Sequence, residues 1–241
     1  MAFIAELRQL SGGKPVGFKL CIGQPWEFMG MVKAMMDTGI LPDFVVVDGA
    51  EGGTGASPLE FSDHLGMPMR EGLLFVHNTL VGTGLRDRIR IGAAGKIVSA
   101  FDIAATRALG ADWVNAARGF MFALGCIQSL SCNTNRCPVG VATQDPLLQR
   151  ALVVPEKAER VFNFHRNTLH ALAEMLAAAG LDHPGQIGPH HLVRRVSQTE
   201  VRLFSQLHTF LAEGELLSGS CHSSFYKNVW DIARADSFEL L

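Results

Sequence analysis

Three of the five cysteines in the chain lie together in one short segment, GCIQSLSCNTNRCPVG. They are Cys126, Cys132 and Cys137, and a proline follows the last of them. Cysteine thiolates bind metal ions and iron–sulfur clusters. Structural zinc sites more often use paired C-x2-C motifs, so the C-x5-C-x4-C spacing favours an iron–sulfur cluster over zinc. Three ligands suit a three-iron cluster.

The other two cysteines, Cys21 and Cys221, stand alone in the sequence. The first ten residues carry Glu6 and Arg8 within an apolar run, which is not typical of a secretory signal, and no long uncharged apolar segment follows. We therefore expect a cytoplasmic protein without a membrane segment, in which thiols stay reduced. A net charge of −2 predicts no nucleic-acid partner.

A glycine-rich loop, DGAEGGTGASP (48–58), follows the most apolar run in the chain. Gly52 and Gly53 allow backbone conformations with positive φ and let amide groups approach a ligand closely. The alternative is a flexible turn without a ligand. The loop is not a Walker motif, because no Gly-Lys-Ser/Thr follows it.

Two further loops carry cations next to glycines. Gly95 and Lys96 lie in AAGKIVSAFD, and Arg118 and Gly119 lie in AARGFM. Loops of this kind after the last two strands of a β/α barrel commonly bind phosphate. Their joint placement favours a phosphate-bearing cofactor over a simple helix cap and a surface cation.

Lys19 lies within an apolar strand-like run, between Phe18 and Leu20. Alternation along a strand points its side chain away from theirs, towards the axis if the sheet closes. Either the lysine reaches solvent at a strand end, or it faces a flavin or a carboxylate substrate.

The segments that must position these residues alternate between strand and helix. Apolar runs predict four strands at 15–22, 43–49, 88–93 and 111–117. Helical spacing predicts helices at 26–39, 69–82 and 99–110. This order predicts parallel β/α units, in an open sheet or in a closed barrel, and both place their chemistry at the carboxyl ends of the strands.

The character of the sequence changes after the cysteine segment. We expect one domain at 1–150 and a helical extension at 151–241. The extension contains a long amphipathic helix at 155–180 and a second predicted helix at 196–217. The residues from 218 to 241 give no functional signal.

Three motifs together resemble a known family. They are GGTGASP (52–58), LRDRIRI (85–91) and GC-x5-C-x4-CPVGVATQDP (125–146). The sequence resembles the FMN-binding domain of glutamate synthases, and more closely the stand-alone bacterial FMN-binding glutamate synthase family. The resemblance implies a β/α barrel with FMN beside a [3Fe-4S] cluster. It also implies that ammonia adds to 2-oxoglutarate and that reduced FMN delivers a hydride to the resulting 2-iminoglutarate, giving glutamate.

The resemblance also implies roles for individual residues. Lys19 would lie by the flavin or the substrate carboxylates as the catalytic lysine. The flavin and substrate loop would be Gly52, Gly53 and Thr54, the FMN phosphate site Gly95, Lys96, Arg118 and Gly119, and the cluster ligands Cys126, Cys132 and Cys137. The chain departs from the family in AAGKIVSA, where the family more often has GG-x-KTG, and at Asp48 and Glu51, where the family more often has Ser and Asp.

Only four predicted strands precede the cysteine segment, whereas the family's barrel has eight. The expected fold is therefore α/β: the C-terminal half of a TIM-type (β/α)8 barrel with an iron–sulfur loop and an appended helical region. The first strands, with their contacts to the flavin, would either come from another chain or be missing. No cysteine follows the initiator methionine, so we do not expect glutamine hydrolysis here.

The expected function is that of a glutamate-synthase-like oxidoreductase that uses FMN and a [3Fe-4S] cluster. Its expected partners are 2-oxoglutarate or a related small molecule, and an electron-donor subunit or ferredoxin. Two alternatives remain: a non-catalytic or electron-transfer iron–sulfur module, and a zinc-stabilised structural domain.

Overall fold

The computed structural model describes residues 1–53 and 55–239, in which helices and strands alternate along the first half. The strands of the main sheet are β1 (Gly17–Cys21), β2 (Phe44–Asp48), β3 (Arg90–Ala94) and β4 (Trp113–Asn115). The helices around it are α1 (Ala2–Leu10), α2 (Pro25–Thr38), α3 (Met69–Gly82), α4 (Ala100–Ala108) and α5 (Arg118–Leu124). The predicted strands and helices of this region are confirmed.

The four strands form one parallel sheet in chain order, β1-β2-β3-β4. A parallel neighbour needs a crossover connection, and the helices between the strands provide it. Val45 and Val47 of β2 are completely buried, as expected for a strand covered by helices. Within the described residues, β1 pairs only with β2 and β4 only with β3. The α/β class is confirmed, and closure into a barrel stays a prediction.

The face of the sheet that carries Lys19 is partly filled by two aromatic rings. Phe44 and Trp113 contact each other edge to face, with ring centroids 5.8 Å apart. Both rings lie over glycines: a Cβ on Gly17 would lie 2.5 Å from the Phe44 ring, and one on Gly92 would lie 2.5 Å from the Trp113 ring. These rings cover the amino-terminal half of this face.

A network of charged groups ties the start of β3 to the start of β4. Arg86 donates hydrogen bonds to Asp112 (2.8 Å), to the Gly110 carbonyl (2.9 Å) and to Nδ1 of His77 (3.2 Å). Burial and the neighbouring Arg86 lower the pKa of His77 to about 4, so this histidine is neutral near pH 7. This network gives the LRDRIRI motif a structural role at the end of the sheet away from the cysteine segment.

The second half of the chain packs against the same core. Its elements are α6 (Pro146–Gln149), α7 (Val154–Ala178), a short 3-10 helix (Pro184–Gln186), β5 (Val193–Arg195), β6 (Val201–Leu203), α8 (Phe204–Leu207) and α9 (Ser224–Ile232). Leu172 and Leu176 of α7, together with Leu211 and Leu216, belong to the cluster of buried residues that covers the sheet. None of the helices in the described part of the chain has both the length and the apolar composition needed to span a bilayer.

The helix predicted at 196–217 is wrong. Residues 193–203 form an antiparallel hairpin of β5 and β6, and only Phe204–Leu207 is helical within the predicted range. Beyond α8 the chain is held by tertiary contacts, because the buried side-chain amide of Asn78 accepts a hydrogen bond from Leu211 N (3.0 Å) and donates one to the Thr209 carbonyl (2.8 Å). These contacts satisfy backbone groups that a helix would otherwise have paired.

The end of the chain folds back onto α2. Lys33 Nζ donates to the carbonyls of Trp230 (2.6 Å) and Ala233 (2.7 Å) at the end of α9, and it lies 4.7 Å from the Trp230 ring centroid. Trp26 Nε1 donates to the Phe238 carbonyl at 3.0 Å. A cation at the carboxyl end of a helix is favourable, so the final residues, which gave no functional signal, have a clear structural role.

Candidate functional site

A cavity of about 420 Å³ lies at the carboxyl ends of the strands. Its wall includes three predicted residues from β1 and the loop after β2, namely Lys19, Gly52 and Gly53. It also includes Gly95 and Lys96 after β3, Arg118 after β4, and Cys126 and Cys132 from the cysteine segment. The parallel sheet therefore brings together residues that are distant in sequence.

Lys19 forms an ion pair with a residue of the neighbouring strand. Its Nζ lies 2.6 Å from Oδ2 of Asp48, and both side chains line the cavity. The register places Lys19 opposite Val46, so Asp48 is two residues further along β2 on the same face. Oδ1 of Asp48 accepts a hydrogen bond from Gly49 N at 2.9 Å, which fixes the carboxylate at the strand end.

Glu51 anchors the glycine-rich loop to α3. Its Oε1 accepts a hydrogen bond from Met69 N (2.9 Å) at the first residue of that helix, where a negative charge is favourable. Its Oε2 is buried and has no hydrogen-bond partner within the described residues. A Cβ on Gly49 would overlap this carboxylate, so the absence of a side chain at Gly49 makes room for it.

Arg118 connects the loop after β4 to the glycine-rich loop. Its guanidinium donates a hydrogen bond to the Gly53 carbonyl across the cavity. Gly55 in turn contacts the cysteine segment, because a Cβ there would lie 2.1 Å from the Leu130 carbonyl oxygen and 3.1 Å from Cys132 N. The predicted flavin loop and the predicted cluster loop thus touch.

The turn after β3 has a backbone that favours glycine. Gly95 has φ +143° and Lys96 has φ +52°, both in the region that side chains disfavour. Ser99 then starts α4 with a capping box, in which its Oγ accepts from Asp102 N and Asp102 accepts from Ser99 N. Capping of α4 fixes the turn that carries Lys96 at the cavity mouth.

Gly119 does not line the cavity. It is buried in α5, and a Cβ there would lie 2.9 Å from the Phe164 ring of α7. The lack of a side chain at Gly119 therefore allows α5 and α7 to pack closely. Its predicted role at a phosphate remains a prediction, and a substitution there would disturb the packing against Phe164.

The three clustered cysteines differ in their surroundings. Cys126 and Cys132 are partly exposed on the cavity wall, whereas Cys137 is buried and does not line the cavity. Hydrogen bonds from the backbone, the largest from Ala142, hold the pKa of the Cys137 thiol below its usual value. This amide environment favours the thiolate, the form that binds metals.

In the two isolated cysteines, the pKa of the thiol is raised instead of lowered. Burial, followed by the charge of Asp48, raises the pKa of Cys21 at the end of β1. Burial also raises the pKa of Cys221, which lies in the C-terminal region. Both therefore favour the neutral thiol.

Some features of the site lie outside the sequence prediction. Thr54 was predicted with Gly52 and Gly53 but lies outside the described residues. Asp48, Glu51, Asn115 and Gln128 line the cavity without having been predicted as site residues. Asp48, Glu51 and Asn115 lie at or just after strand ends, where parallel sheets place their sites, so this position was the available signal.

The charges of the cavity suit a ligand with an anionic end. Lys96 and Arg118 follow the adjacent strands β3 and β4, and both line the cavity. Helix capping and the positive-φ turn at Gly95 hold this part of the wall, so a phosphate-bearing cofactor such as FMN fits these residues.

The cysteine segment supplies sulfur donors of the type that iron–sulfur clusters need. Two of the three cysteines line the cavity, and the thiol of the third lies among amides that favour a thiolate. Within residues 1–53 and 55–239, no three His, Cys, Asp or Glu side chains are grouped closely enough to hold a single metal ion. In a cluster, each thiolate binds a different iron, so this donor set is compatible with one.

Comparison with known proteins identifies similar sequences. The conserved region of glutamate synthase matches residues 1–182. The chain is 44% identical over 211 residues to the glutamate synthase large subunit-like protein YerD of Bacillus subtilis, covering 87% of this chain and 40% of that protein. It is 41% identical over 140 residues to the archaeal glutamate synthase [NADPH] of Methanocaldococcus jannaschii, covering 58% of this chain and 28% of that protein.

A third relative is the ferredoxin-dependent glutamate synthase of Pyropia yezoensis, 37% identical over 162 residues, which cover 67% of this chain and 10% of that protein. Among solved structures, a mutant flavocytochrome b2 with benzoylformate aligns with 77% of this chain and 37% of its own, at 16% identity and a TM-score of 0.46. A FabK mutant from Thermotoga maritima aligns with 73% of this chain and 64% of its own, at 16% identity and a TM-score of 0.41. The chain therefore spans less than half the length of the three relatives described.

Proposed function

Since this chain belongs to the glutamate synthase family, we propose that it forms the flavin- and cluster-binding part of a glutamate-synthase-like oxidoreductase. One observation carries the proposal. Lys19, the glycine-rich loop, the two cationic turns and two of the clustered cysteines line a single cavity, although they are separated in sequence by more than a hundred residues. A structural zinc domain would not require a lysine and two cationic turns at the same cavity.

FMN is the proposed flavin. Lys96 and Arg118 would bind its phosphate by charge-assisted hydrogen bonds, and Gly95 would let the backbone approach it. The amides of Gly52 and Gly53 would bind polar groups of the same ligand. When bound, FMN supplies hydride transfer. The proposed role of this chain is to hold and orient the cofactor at the carboxyl end of the sheet.

A [3Fe-4S] cluster is the proposed second group, bound by Cys126, Cys132 and Cys137. It would supply one-electron transfer next to the flavin. The contact of Gly55 with Leu130 and Cys132 supports this arrangement, because it joins the flavin loop to the cluster loop. The electron donor would be a ferredoxin or a donor subunit, and two of the relatives are named for NADPH and for ferredoxin.

The proposed reaction is the reductive amination of 2-oxoglutarate. Ammonia condenses with the keto carbon and water leaves, and the imine then gains a hydride at carbon and a proton at nitrogen to give glutamate. The Lys19 ammonium would bind a carboxylate of the substrate and hold the imine carbon in place. Loops around the cavity would limit access of water to it.

The open sheet supports a proposal about the rest of the fold. We assign residues 1–150 to half of a TIM-type barrel and residues 151–241 to an extension packed on it. Strands with unpaired edges tend to pair with other chains. Four further parallel strands next to β1 and β4 would close the sheet into an eight-stranded barrel.

The proposal is tested by titrating the full chain with FMN and measuring visible absorption, iron and acid-labile sulfide. We expect stoichiometric FMN, resolved flavin bands, and iron and sulfide in a ratio of about three to four. Iron and sulfide without flavin binding would favour an electron-transfer module instead. Stoichiometric zinc in a colourless protein would contradict both.

A further inference from the structure

The pair formed by Lys19 and Asp48 places a cation and an anion side by side at the cavity. Their charged atoms lie 2.6 Å apart, and their side chains are 56% and 35% exposed. The pair is therefore open to a ligand. The Gly49 amide holds the second oxygen of Asp48 at 2.9 Å, so the carboxylate is fixed before a ligand arrives.

The cavity offers few other cations to a carboxylate. Among the described residues that line it, the cations are Lys19, Lys96 and Arg118 and the anions are Asp48 and Glu51. Under the proposed function, the FMN phosphate would engage Lys96 and Arg118. The substrate then meets Lys19, whose charge Asp48 already balances.

A 2-oxo acid suits this pair poorly. Its carboxylate and its keto oxygen are both hydrogen-bond acceptors, so only Lys19 can bind them. Asp48 would face an acceptor or a negative charge, which is repulsive, and its Oδ2 would gain no hydrogen-bond donor from the ligand. Binding must also weaken the existing pair with Lys19.

A 2-amino acid or a protonated 2-imino acid suits the pair well. The carboxylate on C1 is an acceptor for Lys19, and the nitrogen on C2 carries N–H donors for Asp48. The two groups are on adjacent carbons, and the two protein charges are adjacent as well. A site that must hydrogen-bond an N–H group discriminates strongly against an analogue without it.

We propose that Asp48 is a specificity-determining residue that makes the cavity select the 2-amino or 2-imino acid over the 2-oxo acid. This inference rests on the proposed function and names the form of the substrate that the site holds. Its consequence is that the aminated substrate is the one held for reduction. The ketone, whose reduction would give a 2-hydroxy acid, is bound weakly.

The test compares the dissociation constants of glutamate and 2-oxoglutarate by isothermal titration calorimetry on the full chain. For the wild-type chain, we expect the dissociation constant of glutamate to be lower than that of 2-oxoglutarate by a factor of about ten or more. Asp48→Asn should reduce this ratio about tenfold, because the amide is neutral and can also donate to the keto oxygen. Asp48→Ser, with the residue more usual in the family, should reduce it in the same direction.

Two control variants separate selectivity from folding. Lys19→Met should weaken both ligands, because both carry the carboxylate that Lys19 binds, but it should not reduce the preference for glutamate, because Asp48 is still present. Asp37→Asn, an exposed aspartate on α2 away from the cavity, should change neither affinity. A purely structural role of Asp48 would lower both affinities without changing the ratio.

FMN is titrated separately into each variant, so that the two proposals fail in different ways. Bound FMN with the same affinity ratio in the wild type and in Asp48→Asn would overturn the role of Asp48 and leave the proposed function standing. A changed ratio without FMN binding would contradict the proposed function alone. Tighter wild-type binding of 2-oxoglutarate, or no binding of either ligand, would also overturn the inference.

Discussion

Replacing Arg118 by alanine should weaken FMN binding through the phosphate alone. In the structure, the guanidinium lines the cavity after β4 and donates to the Gly53 carbonyl. To bind a phosphate it would exchange this neutral acceptor for a charged one. In the complex, the alanine variant lacks the hydrogen bond to the phosphate. Without ligand, the same variant lacks the hydrogen bond to the backbone carbonyl.

The size of the effect follows from this exchange. A hydrogen bond to a charged group contributes about 1.5–3 kcal/mol, and one to a neutral carbonyl contributes about 1 kcal/mol. The difference, about 0.5–2 kcal/mol, corresponds to a dissociation constant for FMN that is between about 2-fold and 30-fold higher in Arg118→Ala. Lys96→Ala, which removes a cation from the adjacent turn, should act in the same direction.

The assay is quenching of flavin fluorescence during titration with the full chain, using FMN and riboflavin in parallel. Riboflavin lacks the phosphate, so its affinity should be the same in the wild type and in Arg118→Ala. Arg88→Ala, an exposed arginine that precedes β3, is the control for a general loss of positive charge. Equal weakening of FMN and riboflavin in Arg118→Ala would refute the assignment of this residue to the phosphate.

Three further predictions concern the cluster, the acid stability and the open sheet. Cys132→Ser should abolish the bound iron and sulfide, whereas Cys21→Ser and Cys221→Ser should retain them; full iron content in Cys132→Ser would contradict the ligand assignment. Hydrogen bonds from the amides of His222 (2.6 Å) and Ala212 (2.7 Å) lower the pKa of Glu215 to about 2, below its usual 4.5. Its stabilising contribution, about 1 kcal/mol at this partly buried position, is therefore complete above pH 4.5 and is lost as the pH falls towards 2. Unfolding by urea should show that Glu215→Gln is less stable than the wild type at pH 6 but not at pH 2; an equal deficit at both values would contradict the pKa assignment. The isolated chain should self-associate through the edges of β1 and β4, as measured by light scattering, and a monodisperse monomer that unfolds cooperatively would argue against the half-barrel.

The β/α part of the fold could be predicted because its signals are local. The strand FVVVD and the helix beginning at Met69 each bury a run of apolar residues, and such runs appear directly in the sequence. The hairpin of β5 and β6 could not be predicted in the same way. Val193 pairs with Leu203 across a turn, and the residues between them have a spacing that also suits a helix.

The candidate site was predictable in its residue types and only partly in its contacts. Alternation along β1 correctly indicated that Lys19 points away from the side of the sheet covered by helices. The pairing of Lys19 with Asp48 depends on the register between β1 and β2, which cannot be read from the sequence alone. Similarly, the sequence shows that residue 119 is a glycine, but its contact with Phe164 depends on how α7 packs against α5 and could not be predicted.

The contact of Lys33 with the end of α9 affects the timing of folding during translation. The two hydrogen bonds join residues 197 and 200 positions apart in sequence. A chain emerging from the ribosome can pair β1 with β2 and pack α3 early, but α2 keeps part of its surface uncovered until α9 has been synthesised as well. During that interval Trp26 and its neighbours are exposed to solvent, and we expect chaperones to bind this surface of the nascent chain.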